Sequence, residues 1–165
     1  MTDIYVPIDY SELKTVIPEG EDILYSTSCQ ANFSVGAAYK QSWASHVLLT
    51  QNYMAYTQPV KRKPTALALV PLYKVWMFKP RMIILKKLFW FKITRDSNYE
   101  TKDGFRERAK IFGYKFLPIL LDAKERRLKE MESNPEEFKK IKIRKMESEI
   151  YKVKKALEKN KKKIG

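Results

Sequence analysis

The sequence predicts an α+β protein. We expect a small antiparallel β-barrel or sandwich closed by one amphipathic helix, followed by a C-terminal helical hairpin or short coiled coil. Between about residues 20 and 95, short β-prone runs alternate with turn signals, which is typical of an antiparallel sheet. Beyond residue 97 the apolar residues recur at helical spacing. A chain of 165 residues that is 44 % hydrophobic can bury one core. We therefore assign the β domain with its closing helix to residues 1–117 and a basic helical extension to residues 118–165.

The clearest strand signal is a hairpin in the stretch SHVLLTQNYMAYT, residues 45–57. β-prone or apolar residues occupy positions 47–49 and 53–56, and Gln51-Asn52 between them suits a tight turn. An earlier strand is predicted in EDILYSTSCQANFSV, which is entered through the turn at Pro18-Glu19-Gly20. Two later blocks, TALALVPLYKVWMF and MIILKKLFWFKIT, are also β-rich. Basic, proline-containing breaks separate these blocks, as expected for a sheet with frequent turns.

The helices are predicted from caps and from apolar spacing. Ser97 with Glu100, or Thr101 with Asp103, can start the closing helix. Its apolar face comprises residues 105, 109, 112 and 116, and its basic side chains point elsewhere. Pro118 is expected to break or kink this helix, so that a second helix covers residues 119–131. A third helix should restart at SNPEE, with a cap at residue 133 or 134 and Pro135 in its first turn.

The third helix carries apolar residues three and four positions apart, which is the a/d seam of a short coiled coil. Two arrangements fit this pattern. The seam can pack on the second helix as an αα-hairpin, with Leu121, Leu128 and Met131 as the partner stripe, or it can pair with a helix of another chain. The predicted seam consists of Ile143, Met146, Ile150, Val153 and Leu157.

The order of these segments resembles a pleckstrin-homology-like (PH-like) domain of the prokaryotic PH or GRAM type, over roughly residues 17–117. The resemblance rests on IPEGEDILYSTSC, on the hairpin with Thr50 and Asn52, on ALVPLYKVWMF, and on FWFKIT followed by DGFRERAKIF. Tyr53 departs from the family pattern, which has a basic residue there. The resemblance implies a scaffold that presents loops and grooves for binding proteins or lipid surfaces. Family members that bind phosphoinositides carry basic residues on the first hairpin, where this chain has only Lys40.

Residue types suited to catalysis or metal binding are scarce. His46 is the only histidine, and we expect it at a strand start in a structural role. Cys29 is the only cysteine, and a buried apolar role is expected for it. The five glycines are scattered, so the chain has no glycine-rich phosphate loop. The sequence therefore predicts a non-enzymatic protein with no cofactor and no metal.

The net charge of +14 is unevenly distributed. Residues 1–60 carry two Lys/Arg and six Asp/Glu, whereas residues 61–165 carry 31 and 13. This asymmetry indicates an anionic partner, or a lysine-rich surface that only keeps the chain in solution. An anionic surface would be contacted by the basic residues in or near the predicted turns. These are Lys40, Lys61, Arg62, Lys63, Lys79, Arg81, Lys86 and Lys87.

Three kinds of partner fit this composition. The favoured hypothesis is an adaptor or scaffold that binds a protein partner, or itself through the C-terminal helices, at an anionic membrane surface. The alternative is sequence-nonspecific nucleic-acid binding by the basic C-terminal helices. Four aromatic residues interleaved with lysines would then be stacking platforms or core residues. They are Trp76, Phe89, Trp90 and Phe91.

The start of the chain lacks the pattern of a signal peptide. The longest apolar stretch, residues 67–78, is interrupted by Lys74 and is too short to cross a bilayer. The sequence thus favours a cytoplasmic protein. The membrane hypothesis would place it peripherally at the inner membrane face.

Overall fold

A computed structural model of the chain describes residues 10–34, 40–60, 63–79, 81–86, 89–95 and 100–164. Within these residues the chain is α+β, with a curled seven-stranded antiparallel half-barrel followed by two long helices. The strands are β1 (Tyr25–Ser34), β2 (Lys40–Leu49), β3 (Tyr53–Val60), β4 (Lys63–Pro71), β5 (Trp76–Lys79), β6 (Met82–Lys86) and β7 (Phe89–Lys92). The helices are α1 (Tyr10–Lys14), α2 (Lys102–Ser133) and α3 (Lys140–Ile164), and a 3-10 helix lies at Leu72–Lys74.

The strand order is β4-β3-β2-β1-β7-β6-β5, so β1 joins the two halves of the sheet. Ala31 in β1 pairs with Trp43 of β2 on one side and with Phe91 of β7 on the other. The antiparallel sheet predicted from the sequence is confirmed. Each of the two later β-rich blocks forms two strands. The first block forms β4 and β5, which flank the 3-10 helix, and the second forms β6 and β7.

The predicted hairpin is formed by β2 and β3. Thr50 closes its turn: its backbone N–H donates to the Tyr53 carbonyl at 2.9 Å, and its hydroxyl oxygen accepts from the Tyr53 N–H at 3.0 Å. The earlier turn is also present, since the Glu21 N–H donates to the Pro18 carbonyl at 3.2 Å. Gly20 has a φ of 90° there, a conformation that favours glycine.

The sheet is buried on both faces at β2 and β3. Val47 and Leu49 face the main core, whereas Leu48 on the opposite face contacts a second cluster with Leu13 and Ala55. Leu13 belongs to α1, a helix that was not predicted from the sequence. Because α1 covers the outer face, the run of apolar residues in the middle of the hairpin is buried on both sides instead of alternating.

The closing helix is α2, which begins at Lys102 and ends at Ser133. Thr101 is the N-cap and accepts from the Gly104 N–H at 3.0 Å. Phe112 and Phe116 stack at 4.6 Å between ring centroids and lie in the main core. The predicted break at Pro118 is wrong, because α2 continues to Ser133. Pro118 itself is exposed, and the buried Leu117 on one side of it and Leu120 on the other tie the helix to the core.

The predicted restart at SNPEE is also displaced, because α3 begins at Lys140. Ser133 and Asn134 end α2 instead of starting α3. The Ser133 hydroxyl donates to the Lys129 carbonyl at 2.8 Å, and the Asn134 side-chain amide donates to the Glu130 carbonyl at 3.1 Å. The boundary assigned at residues 117/118 falls inside α2.

The apolar seam of α3 packs within the same chain. Met146 and Ile150 are buried with Met131 of α2, and Val153 is buried in the main core. Ile143 and Leu157 are partly buried beside these clusters. Of the two arrangements that the sequence leaves open, the structure therefore has the αα-hairpin of α2 and α3.

Candidate functional site: a basic cleft

The basic residues predicted to contact an anionic surface are divided between two ends of the sheet. Lys40 begins β2, Lys63 begins β4 and Lys86 ends β6, and antiparallel pairing places these three positions at one end. Lys79 ends β5 and Arg81 precedes β6, so both belong to the opposite end. Lys61, Arg62 and Lys87 lie outside the described residues. Of the whole predicted set, only the side chain of Arg81 is described.

Arg81 lies in a large cleft of about 810 Å³ between the β5–β6 turn, the end of β7, α2 and α3. Among the described residues, those that line it include six cations and no carboxylate. All six cationic residues are exposed. We call this site the basic cleft, and its cations are Arg81, Lys92, Arg95, Arg106, Lys110 and Lys159.

The floor of the cleft is apolar, in contrast to its rim. It includes Ile93 and Ala156, which are 4 % and 5 % exposed, and the partly buried ring of Phe105. The guanidinium carbon of Arg81 lies 5.7 Å from the centroid of that ring. The cleft thus combines an aromatic and aliphatic floor with a positively charged rim.

Strand pairing and a few hydrogen bonds next to the strands assemble the sheet side of the cleft. Met82 pairs with Lys92, and the Ile93 N–H donates to the Arg81 carbonyl at 2.9 Å. These bonds bring cations on different strands together, although they are distant in the sequence. Arg95 follows β7, and its Nε donates to the Glu100 carbonyl at 3.0 Å just before α2 begins.

Close packing of α2 on α3 forms the other side. A β-carbon at Gly113 would be closer to the Asn160 side-chain amide than van der Waals contact allows. Glycine in the middle of a helix costs about 1 kcal/mol relative to alanine. The close approach of Asn160 explains why glycine suits this position. The same approach brings Lys159 to the cleft that Arg106 and Lys110 of α2 already line.

Arg108 anchors α2 to the sheet next to the cleft. Its Nε and Nη2 donate to the two carboxylate oxygens of Glu100 at 2.8 and 3.1 Å. Its Nη1 donates to the Ser28 carbonyl at 2.7 Å, and its Nη2 also donates to the Thr94 carbonyl. The charge of Arg108 is therefore neutralised and its donors are used, so this residue positions the cleft and is not part of its charged rim.

Among the described residues, carboxylates balance few of the cations of the cleft. Within the described residues, the one ion pair to a carboxylate in the cleft set joins Arg106 to Asp103 at 3.8 Å, and both side chains are exposed. Outside the cleft, Arg126 pairs with Asp122 and Arg127 with Glu130, both at 2.9 Å. Like charges that lack such partners repel one another, so the unbalanced rim is an electrostatic cost that an anionic ligand would offset.

A buried lysine between α2 and α3 has a structural role. Lys124 is fully buried, and its Nζ lies 3.2 Å from the Tyr73 carbonyl and 3.5 Å from a Glu149 carboxylate oxygen. Burial lowers the pKa of Lys124, and the Glu149 carboxylate opposes that shift. The pair joins the two helices to the 3-10 helix.

The aromatic residues suggested as stacking platforms have different environments. Phe89 and Phe91 are buried in the core, and Trp90 is partly buried. Trp76 on the edge strand β5 is 41 % exposed, and Lys145 Nζ lies 4.5 Å from its ring centroid. These two residues line a smaller groove of about 190 Å³ between β5 and α3.

His46 lies inside β2 and not at a strand start, which corrects the expected position. Its Nδ1 lies 3.4 Å from the Ser28 hydroxyl on the neighbouring strand, and burial lowers its pKa. Cys29 is buried, as expected, and burial raises the pKa of its thiol. Among the described residues, no group of histidine, cysteine and carboxylate side chains is suited to hold a metal ion.

Sequence reasoning missed most of the cleft. Arg106 and Lys110 were expected only to point away from the apolar face of the closing helix, and Lys92, Arg95 and Lys159 were not assigned to a site. The larger number of basic residues after position 60 indicated an anionic partner, but it does not identify which of these residues form the site. In the part of the chain that the structure describes, no helix has the length and apolarity needed to span a membrane. Comparison with protein-family models, with curated proteins and with solved structures gave no match.

Proposed function

We propose that this protein is a non-enzymatic, PH-like interaction module that acts as an adaptor and binds a polyanionic partner through the basic cleft. The observation that carries this proposal is a rim of six cations around one concavity, with no carboxylate among the lining residues that the structure describes. The curled antiparallel half-barrel followed by helices is compatible with the PH-like resemblance. In such a module the sheet is the scaffold and the site lies where sheet and helices meet.

The test compares two double variants that remove the same charge. The cleft variant is Lys92→Gln with Lys110→Gln, and the control variant is Lys140→Gln with Lys142→Gln at the exposed start of α3. We expect the cleft variant to elute from immobilised heparin, used as a generic polyanion, at clearly lower salt than the wild type. The control variant should elute near the wild type. Equal elution of both variants would show that net charge, and not the cleft, determines retention.

A second candidate function is contact with an anionic membrane at the opposite end of the sheet. It is favoured by the common end to which strand pairing assigns Lys40, Lys63 and Lys86. Basic residues near an anionic leaflet contribute about 1 kcal/mol each. The triple change of these lysines to glutamine should reduce co-sedimentation with phosphatidylglycerol vesicles and leave heparin retention by the cleft unchanged. Unchanged co-sedimentation would remove this candidate.

A further inference from the structure

We infer that the partner of the basic cleft is single-stranded nucleic acid, with a base on the apolar floor and the phosphates on the cationic rim. This inference rests on the proposed function, because it names the partner of the same site. The ligand must satisfy two chemistries in one cavity: six cations above and an apolar, partly aromatic surface below. A nucleotide unit has both an apolar ring and a phosphate.

The floor distinguishes this partner from other polyanions. Inorganic polyphosphate and highly phosphorylated sugars would bind the rim but have no apolar group to contact the accessible part of the Phe105 ring. A bilayer surface is broad and meets the rim, but it does not descend between the sheet and the helices. A double helix keeps its bases stacked inside, so only an unpaired strand can place a base on the floor.

Phe105 is suited to contact such a base. Its ring is partly buried and lines the cleft, while guanidinium groups of Arg81 and Arg108 each lie 5.7 Å from its centroid. Positively charged grooves with aromatic side chains are the recurring mode of single-strand binding. A further aromatic ring, Tyr114, is 40 % exposed on α2, one helical turn after Lys110.

The charge on the rim sets the expected salt dependence. For a single strand, the logarithm of the binding constant falls by about 0.7 per neutralised phosphate for each unit of log salt concentration. If each of the six cations neutralises one phosphate, the slope is about −4, and fewer contacts give a shallower slope. Removal of two rim cations should make that slope shallower by about 1.4. A loss of affinity by misfolding would not produce this change of slope.

The experiment measures fluorescence anisotropy of a labelled oligouridylate of about 12 nucleotides with the full chain, across a salt series. We expect the cleft variant, Lys92→Gln with Lys110→Gln, to bind about ten-fold more weakly near physiological salt, with the shallower slope. The control variant, Lys140→Gln with Lys142→Gln, should bind within about two-fold of the wild type. Thermal unfolding of both variants checks that the fold is retained.

A third variant tests the floor. Phe105→Leu keeps an apolar side chain there, so we expect a retained salt slope and an affinity about five-fold lower. Photocrosslinking of a 4-thiouridine-substituted oligonucleotide should label a peptide that contains Phe105. An unchanged affinity together with crosslinks outside the cleft would overturn the assignment of the base to this floor.

Competitors separate this inference from the proposed function. Duplex RNA, tripolyphosphate and UTP should displace the labelled strand only at much higher concentrations than the unlabelled strand does. Displacement by UTP at equal concentration would overturn the inference in favour of a free nucleotide. Cleft-dependent binding to heparin or vesicles without binding to the oligonucleotide would overturn the inference and leave the proposed function standing. Failure to bind any of these polyanions would overturn both.

Discussion

The side-chain amide of Asn160 occupies the space that a β-carbon would need at Gly113. This contact lies where α3 approaches α2, and both residues line the basic cleft. Lys159, next to Asn160 in the sequence, lines the same cleft as the cations of α2.

Gly113→Ala should raise the free energy of unfolding less in the wild type than in an Asn160→Ala background. In the wild type the amide at the end of the flexible Asn160 side chain has to move, and this displacement offsets part of the gain in helix propensity. In an Asn160→Ala background the obstacle is absent, and alanine should raise the free energy of unfolding by about 0.5–1 kcal/mol through helix propensity. Urea unfolding of the four proteins measures the coupling, and additive effects would show that the two residues do not constrain each other.

Arg108→Gln should lower the free energy of unfolding by about 2 kcal/mol or more, because the largely buried Glu100 carboxylate would lose its ion pair and two hydrogen bonds with Arg108. The matched control is Arg106→Gln on the same helix, where the ion pair with Asp103 is exposed. Such surface pairs contribute about 0–1 kcal/mol. Chemical denaturation compares the two variants, and equal losses would contradict the anchoring role of Arg108.

Leu13→Ala should cost about 2–4 kcal/mol of unfolding free energy, because Leu13 is fully buried against Leu48 and Ala55. Leu24→Ala is the control, since Leu24 is 49 % exposed and its truncation should cost well under about 1 kcal/mol. A small loss for Leu13→Ala would mean that α1 contributes little to the stability of the sheet. Thermal and urea denaturation give the comparison.

Cys29 should make the protein less stable at alkaline pH. Burial raises the pKa of its thiol above the ordinary value near 9, so the folded state keeps the proton that the unfolded state loses. The unfolded state then binds fewer protons, and stability falls as pH rises through the unfolded pKa. Above that pH, the free energy of unfolding of the wild type should fall relative to Cys29→Ala by about 1.4 kcal/mol per pH unit. A constant difference between the two proteins from pH about 8 to about 10 would contradict this prediction.

The strands were predictable because their signals are local. The hairpin turn depends on Thr50 and Tyr53, which are neighbours in the sequence, and the start of α2 depends on Thr101 and Gly104 in the same way. Helix α1 was not predictable from spacing, since five residues carry no period and its position depends on the contact of Leu13 with the sheet. The continuation of α2 past Pro118 was likewise not predictable, because it depends on the contacts of Leu117 and Leu120 with the core.

The basic cleft was not predictable because register and helix crossing create it. Arg81 and Lys92 meet through the pairing of β6 with β7, and Lys159 reaches them only because α3 returns along α2. No local sequence pattern predicts the pairing of β6 with β7 or the return of α3 along α2. The excess of basic residues after position 60 indicated an anionic partner, but it could not separate the cations of the cleft from those that pair with carboxylates along the helices.

The position of β1 in the sheet has a consequence for synthesis of the chain. Ala31 in β1 pairs with Phe91 in β7, so one edge of β1 stays without its partner until the chain has grown past β7. An unpaired strand edge is a template for association with other chains. During translation, the protein is therefore most prone to aggregation when the first four strands have been synthesised and β7 has not. Non-local pairing of this kind also slows folding, and the joining of the two halves at β1 is expected to be a late event.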